Sequence, residues 1–186
     1  MSLFPLFLRL DGRDVLVVGA GAVAERKIED LAAAGARVRV VAKTATPAVH
    51  AMSAEGACTL SLRAFEARDV GAAWLVVAAT ADAATQKEVC DLAAAARIFA
   101  VAIDDPPNGS AISASVVRRG PFTVAISSSG EAPALSRLLR EVLEQALPAD
   151  DWIEAARALR ERWKREGTPM ASRFPELVRA FKERAR

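Results

Sequence analysis

The sequence has few of the residues from which permanent metal sites and disulfide frameworks are built. Among its 186 residues are two cysteines, Cys58 and Cys90, a single histidine, His50, and no tyrosine. The cysteines lie far apart and form no CxxC pair, so neither a disulfide framework nor a zinc site is predicted. A Ser-His-Asp triad would depend on His50 alone, which falls in a predicted surface helix.

Long apolar runs and a strong charge of one sign are missing as well. No apolar run reaches the roughly 18 residues that a membrane span needs, and residues 4–8 lack the basic flank of a signal peptide. A cytoplasmic protein is therefore expected. The net charge is +2, and the basic excess falls in residues 150–186, where a solvated helix face is a better interpretation than nucleic-acid binding.

A glycine-rich turn between a strand pattern and a helix pattern is the most informative stretch. The β-branched run at residues 15–18 leads into Gly19-Ala20-Gly21-Ala22-Val23-Ala24, a GxGxxA sequence followed by helix-forming residues. In this context the first glycine permits the turn, the second lets a pyrophosphate approach, and the helix N-terminus favours negative charge. The motif predicts dinucleotide binding by Gly19, Gly21, Ala22 and Val23, with a purely structural turn as the alternative.

Alternating strands and helices continue to about residue 103 and predict a parallel, Rossmann-type sheet. Strands are predicted over 14–18, 38–42, 58–62, 73–79 and 98–103, and helices over 22–34, 46–54 and 80–96. Ligands bind at the carboxyl ends of such strands, where Lys43, Thr44, Thr80 and Asp104 should gather with the glycine turn. The usual acidic residue that receives the ribose of NAD is replaced by Ala42-Lys43-Thr44. Lys43 could contact a ribose, or the 2′-phosphate of NADP, and charge alone does not decide between them.

Outside the alternating strands and helices, the sequence predicts an N-terminal segment, a hairpin and further helices. Residues 6–10 suggest a short apolar strand or an edge segment before the first core strand, and residues 114–119 and 122–127 suggest a hairpin. A helix is predicted over 132–147, with Leu135, Leu138, Leu139, Val142 and Leu143 as its apolar face, followed by helices at 150–165 and 174–185 anchored by Trp152 and Trp163. The predicted domains are 1–112 for cofactor binding, 113–148 for dimerisation and 149–186 as a C-terminal helical region.

Several stretches together carry a family resemblance over about residues 5–148. They are Pro5-Leu6-Phe7, Val17 to Lys27, Gly35-Ala36, Ala78-Ala79-Thr80, Asp104, Val124 to Gly130, Pro133, Leu135 and Arg137-Leu138-Leu139-Arg140. The chain resembles the precorrin-2 dehydrogenase/sirohydrochlorin ferrochelatase part of the siroheme synthase family. The resemblance implies NAD-dependent oxidation of precorrin-2 to sirohydrochlorin in siroheme biosynthesis, with Fe²⁺ insertion, a lyase activity, as a second activity left open. It also implies a homodimer, built through the hairpin and the helix at 132–147.

Residue roles follow from the resemblance position by position. Asp104 is implied as the general base, with no permanent metal ligands. A tetrapyrrole with eight carboxylates needs cations and N–H groups, which Ser127, Ser128, Gly130, Arg118 and Arg137 could supply. Ser128 matches a serine that can be phosphorylated in family members. The chain departs from the family pattern at Ala81, Gln86, Val101, Ala111, Ala114 and Ser129.

Two functions of different classes are compatible with these features. One is the NAD-dependent dehydrogenase, and the other is a Rossmann module that senses NAD and regulates a partner without redox chemistry. Asp104, the serine turn at 127–130 and the nearby arginines favour the enzyme, because a sensor does not require them.

Overall fold

The computed structural model describes residues 3–147 and 150–184 of the chain. The described residues form two compact units that divide between Ser113 and Ala114. The predicted boundary at residue 112 falls close to this division, and the functions assigned to the predicted domains remain predictions. Among the described helices, none is long and apolar enough to cross a bilayer.

The first unit is built on a parallel sheet of five strands. These are β1 (Asp14–Val18), β2 (Arg37–Ala42), β3 (Thr59–Leu62), β4 (Leu75–Ala78) and β5 (Phe99–Ala102). Their order is β3-β2-β1-β4-β5, so the direction of winding reverses between β1 and β4. In an open sheet of this kind the crevice at that reversal is where ligands bind.

Three helices cover the sheet, namely α1 (Ala22–Ala33), α2 (Pro47–Ala54) and α3 (Ala83–Ala95). Apolar residues of β1 alternate between the two faces, as a strand covered on both sides requires. Val15 and Val17 join Ile28 of α1 in one buried cluster, whereas Leu16 joins Val89 of α3 in the other. The expected Rossmann-type fold is confirmed.

The N-terminal segment corrects one expectation. Residues 6–10 form no strand and have no ladder partner. Leu10 is buried, but Leu6 and Phe7 are largely exposed, and the chain is tied down by a backbone bond of 2.8 Å from Gly12 N to Gly35 O. Apolar composition alone suggested a strand, but no edge of the sheet pairs with this segment.

The second unit contains an antiparallel hairpin and three helices. The strands are β6 (Ser115–Arg119) and β7 (Phe122–Ile126), and the helices are α4 (Pro133–Ala146), α5 (Asp150–Glu166) and α6 (Met170–Arg184). Helix α6 begins four residues earlier than expected and accommodates Pro175 within its N-terminal part. Its pairing with α5 includes a bond of 2.5 Å from the indole of buried Trp163 to Glu176.

The predicted apolar face of helix α4 is largely exposed in this chain. It packs on the hairpin, and Ser136 is its buried residue. Four of the five predicted apolar positions are 43–54% exposed in this chain, namely Leu135, Leu138, Leu139 and Val142. The helix itself is confirmed, but its stripe of leucines faces away from the chain's own core.

Candidate functional site

A cleft of about 550 Å³ opens at the carboxyl ends of the sheet strands in the first unit. The strands β1, β2, β4 and β5 each lead into it through the residues that follow them. Every predicted cofactor residue and the predicted base line this one cleft, namely Gly19, Gly21, Ala22, Val23, Lys43, Thr44, Thr80 and Asp104. Their roles in binding and catalysis remain predictions.

Gly19 makes the turn out of β1 by adopting a φ of +110°, a conformation that side chains strongly disfavour. Its amide donates to Val41 O at 2.9 Å. A Cβ placed on Gly19 would lie 2.3 Å from Ala79 O and 2.9 Å from Thr80 N. The loop after β4 therefore crosses directly over the glycine, and glycine is the residue that this approach permits.

Gly21 serves a different purpose at the start of α1. A Cβ placed on it would meet no atom within 4 Å, and this residue contributes no capping side chain. Gly21, Ala22 and Val23 are exposed at the cleft, so the first amides of α1 can be reached by a ligand. Such a helix terminus attracts a phosphate through N–H groups and the helix dipole, and the geometry fits a dinucleotide pyrophosphate.

Val23 corrects a detail of the predicted helix pattern. The apolar spacing of Val23, Ile28 and Leu31 predicts that they share the buried face of α1, but the side chain of Val23 is 50% exposed. The residue packed into the core in the first turn is Ala24. A small residue there allows α1 to lie close to the sheet, as the third position of the glycine motif requires.

A second cation stands beside Lys43, and the sequence reasoning missed it. Arg63 follows β3 directly, and its amide donates to Ala42 O at 2.9 Å. Its guanidinium bonds both oxygens of Asp69 at 2.5 and 2.7 Å, which holds the pKa of this buried carboxyl below its usual value. Lys43 was predicted because it directly follows a strand of the parallel sheet. Arg63 directly follows β3, so the same argument predicts that it lies at the cleft.

The loop between β4 and α3 closes another side of the cleft. Asp82 caps α3 by accepting bonds from Ala84 N at 3.0 Å and Thr85 N at 3.1 Å. These amide bonds, together with the charge of Lys43, lower the pKa of Asp82. Thr80 Oγ1 in turn accepts a bond of 3.2 Å from Asp82 N, so the rim of the loop is held by its own side chains.

Asp104 occupies a corner rather than an extension of β5. Its φ of +63° lies in the left-handed region, which aspartate and asparagine tolerate better than most residues. The side chain is exposed at the cleft. Immediately before it, the buried amide of Gln86 donates to Ile103 O at 2.5 Å and to Ala78 O at 3.1 Å, which fixes the ends of β4 and β5 together.

The predicted substrate residues belong to the second unit. Ser127 Oγ accepts from Ser129 N, and Ser128 Oγ accepts from Ala132 N, each at 3.1 Å. Ser129 has a φ of +55° and Gly130 one of +87°. The serine turn thus leads into α4 through two left-handed residues, one of which is a serine.

The arginines predicted to bind substrate lie on two elements, and Arg118 is registered with Thr123, away from the end of the hairpin that leads into the serine turn. On α4, the side chain of Arg137 pairs with Glu141 at 3.1 Å, and Arg140 pairs with Glu144. Arg118 lies on β6 and is exposed. The pairs on α4 are of the i,i+4 type, each worth a few tenths of a kcal/mol when exposed, so an incoming carboxylate could displace them.

Comparisons with known proteins place the chain in a family. A family model described as "Putative NAD(P)-binding" matches residues 6–115, and one described as "Sirohaem biosynthesis protein central" matches residues 119–146. The chain belongs to the putative NAD(P)-binding family that the first of these models describes. The expected resemblance to the precorrin-2 dehydrogenase/sirohydrochlorin ferrochelatase part of that family is confirmed.

Curated relatives of this chain are longer proteins. Siroheme synthase 1 of Cronobacter sakazakii is 50% identical over 149 residues, which cover 80% of this chain and 32% of the relative. Siroheme synthase 3 of Aeromonas hydrophila is 44% identical over 175 residues, covering 93% of this chain and 37% of the relative. The chain spans about a third of the length of these relatives.

A solved structure extends the likeness of this family member to both units. SirC, a precorrin-2 dehydrogenase, matches with a TM-score of 0.75 and 24% identity, over 95% of this chain and 88% of that one. This likeness shows the fold.

In the part of the chain that the structure describes, no group of three or more His, Cys, Asp or Glu side chains could hold a metal ion.

We expect Gly19→Ala to destabilise the first unit severely, by roughly 3 kcal/mol or more, because it combines a positive φ with a clash against backbone. Gly56→Ala is the matched control, since Gly56 has a φ of +79° and its added methyl group would meet no atom within 4 Å. It should cost about 1 kcal/mol. Urea unfolding measures both, and equal losses would show that contact with Ala79 is unimportant.

We expect Gln86→Leu to lower the free energy of unfolding by about 1–3 kcal/mol, because it removes the side-chain donor from the buried ends of β4 and β5. Glu88→Leu on the same helix, at an exposed position, should change stability by less than about 0.5 kcal/mol. Thermal and urea unfolding of the two variants measure the difference. If Gln86→Leu behaves like the control, the two carbonyls do not depend on Gln86.

Proposed function

We propose that this chain is an NAD-dependent precorrin-2 dehydrogenase of siroheme biosynthesis, acting in the cytoplasm. The reaction converts precorrin-2 to sirohydrochlorin by removing one hydride and one proton. The observation that carries the proposal is the presence of Asp104 in the same cleft as the glycine turn, in a chain that also matches the model of the sirohaem biosynthesis protein central region. The buried free thiols of Cys58 and Cys90 suit a reducing compartment.

The glycine turn and the ends of the neighbouring strands are proposed to hold the cofactor. The backbone amides after Gly21, which no side chain caps, face the pyrophosphate. Lys43 and Thr44 contact the adenosine half of the dinucleotide. Thr80 contacts it from the loop that follows β4. NAD⁺ bound there supplies a hydride acceptor. The protein's contribution is to orient the dinucleotide and to present the reactive half to the substrate.

Asp104 is proposed to receive the proton. Its exposed carboxylate lies at the cleft, and its corner position is fixed by the Gln86 bonds to the preceding carbonyl. A general base must be positioned before its basicity matters, and this arrangement limits its movement. The same carboxylate could accept pyrrole protons during Fe²⁺ insertion, the second activity that the resemblance implies.

The tetrapyrrole carboxylates are proposed to meet the serine turn with Ser127, Ser128 and Gly130, together with Arg118 and Arg137. The turn offers N–H groups at the start of α4, and Arg137 adds a cation on that helix. Arg118 lies further along the hairpin, opposite Thr123, and would meet a different carboxylate of the ring. Phosphorylation of Ser128 would replace the hydroxyl that now accepts from Ala132 N with a group carrying about two negative charges. We therefore expect the phosphorylated protein to bind the polyanionic substrate less tightly.

We also propose a homodimer. Leu135, Leu138, Leu139 and Val142 form a continuous exposed apolar stripe on α4, beside a hairpin of two strands that is marginal on its own in water. Burying such a stripe stabilises by about 25 cal/mol per Å² of apolar surface. A second copy of the chain carries the same apolar stripe. Packing the two stripes against each other would bury both of them, as in a two-fold symmetric interface.

Asp104→Asn should reduce turnover by about a hundredfold or more, because a positioned base contributes roughly 10²–10⁴ to rate, while NAD⁺ affinity stays within about threefold. Asparagine keeps the left-handed backbone accessible, so the fold should persist. Anaerobic incubation with precorrin-2 and NAD⁺, followed by sirohydrochlorin absorbance and NADH formation, measures it. Asp105→Asn is the control, and turnover equal to the parent in Asp104→Asn would remove Asp104 from the mechanism.

Leu139→Glu should convert the dimer to monomer, because it places a charge in the apolar stripe. Sedimentation velocity at micromolar concentration checks the assembly state. Glu144→Gln, which changes charge by one unit on another face of α4, should leave the dimer intact. A parent protein that sediments only as a monomer would contradict the proposed assembly.

A further inference from the structure

A separate cavity, of about 430 Å³, lies within the second unit. The tip of the hairpin, the N-terminal part of α5 and the C-terminal half of α6 form its walls. Its lining is apolar except for two arginines, Arg157 and Arg160. Small-molecule sites are cavities of roughly 300–1,000 Å³ lined mainly by apolar and aromatic side chains, with a few polar groups that fix the ligand. This cavity has both the size and the composition of such a site.

Aromatic rings are concentrated in the walls of this cavity. The chain has seven phenylalanines and three tryptophans, and three of these residues line the cavity, namely Phe122, Trp152 and Phe181. The rings of Trp152 and Phe181 pack together with centroids 4.6 Å apart and planes tilted by 42°, which holds both rings in place. The side chain of Phe122 is 41% exposed. A flat apolar ligand in the cavity would cover this ring and lie against the other two.

The two arginines continue an apolar face of α5. Residues at spacings of three and four share one side of a helix, and the cavity-lining residues of α5 follow this spacing from Ile153 through Ala156 and Arg157 to Arg160. Ile153 is buried, whereas both arginines are exposed. The face therefore changes from apolar to cationic over two turns, and the cations border the part of the cavity that is open to solvent.

No carboxylate among the described residues lines the cavity beside these cations. In the same part of the chain, Arg157 has neither an ion-pair nor a hydrogen-bond partner. Glu161, the next acid after it on α5, bonds Lys164 at 2.8 Å instead, and Arg162 pairs with Glu176 of α6. The charge at the cavity is thus positive and available to a ligand that carries a negative group.

We infer that this cavity binds a small aromatic carboxylate. The ring of the ligand lies against Phe122, Trp152 and Phe181, and its carboxylate accepts hydrogen bonds from Arg157 and Arg160, since guanidinium groups bind carboxylates through paired N–H donors. A tetrapyrrole with eight carboxylates does not match the cavity, because two cations and an apolar wall would leave most of its charges without partners. The inference is therefore independent of the proposed dehydrogenase activity and adds a second ligand site to the chain.

Isothermal titration calorimetry of the full chain with three probes tests this site. The probes are 2-naphthoate, which has the ring and the charge, 2-naphthalenemethanol, which has the ring alone, and acetate, which has the charge alone. We expect 2-naphthoate to bind with a Kd below about 1 mM and about tenfold or more tightly than the alcohol, because hydrogen bonds to charged groups are the stronger ones. Acetate at about 1 mM should give no signal, since it buries almost no apolar surface.

Two variants assign the binding to the cavity. Arg157→Gln should weaken 2-naphthoate about tenfold or more and change the affinity for the alcohol by less than about threefold, because it removes a charge and leaves the walls intact. Phe122→Ala should weaken both ring-containing probes by a similar factor, because it removes apolar contact from both. Arg179→Gln is the matched control, since Arg179 is exposed on α6 and lies outside the cavity lining. Thermal unfolding checks the fold of each variant.

Sedimentation velocity of the same proteins distinguishes a ligand site from a contact between copies of the chain. We expect Phe122→Ala to sediment like the parent. Absence of 2-naphthoate binding to the parent would overturn the inference, and loss of a dimer in Phe122→Ala would then identify the cavity as part of a protein interface. Equal weakening by Arg157→Gln and Arg179→Gln would also overturn it, because the carboxylate would then respond to net charge and not to this cavity. None of these results depends on turnover of a tetrapyrrole.

Discussion

The contact between the backbones of Gly19 and Ala79 is the constraint on which the cleft depends. It brings the turn after β1 against the loop after β4, the two strands between which the winding of the sheet reverses. If the two loops stood further apart, the amides at the start of α1 and the side chain of Thr80 would not face one space. Helix α1, the loop from Thr80 to Asp82 and the corner at Asp104 are all arranged around this approach.

The sequence was sufficient to place most of that edge. A glycine motif between a strand and a helix, together with the rule that parallel strands end at one edge, predicted that Gly19, Lys43, Thr80 and Asp104 gather there. All of them line one cleft. The rule depends on backbone topology alone, which local patterns of hydrophobicity specify well. Arg63 obeys the same rule, and recognising it required only that β3 be treated like its neighbours.

Other features depend on contacts that no local pattern reports. The period of α4 was readable, but which side of the helix is covered depends on the hairpin beneath it, so the leucine stripe could not be assigned to core or surface. Residues 6–10 are apolar without being a strand, because a strand also needs a neighbouring strand to pair with, and these residues do not lie along one. The bonds from Gln86 to two carbonyls similarly join residues of β4, α3 and β5 that are separated in the chain.

The positive φ of Asp104 helps to explain why an aspartate stands at this corner. Left-handed backbone outside glycine is uncommon, and among the described residues it occurs at Arg97, Asp104 and Ser129. Arg97 ends the turn that follows α3, whereas the other two lie in segments with a proposed role. Strained backbone persists where the surroundings over-determine it. At Asp104 those surroundings include Gln86 before the corner and the turn Pro106–Asn108 after it.

The three α-helix N-termini of the described first unit differ in whether their own side chains satisfy them. Thr46 accepts from Val49 N and Asp82 accepts from Ala84 and Thr85 N, whereas Gly21 at the start of α1 offers no such group. Two of the three termini are therefore partly occupied by the protein itself. The N-terminus of α1 therefore has more unsatisfied amide donors than those of α2 and α3. An anion that enters the cleft finds its best binding site at α1.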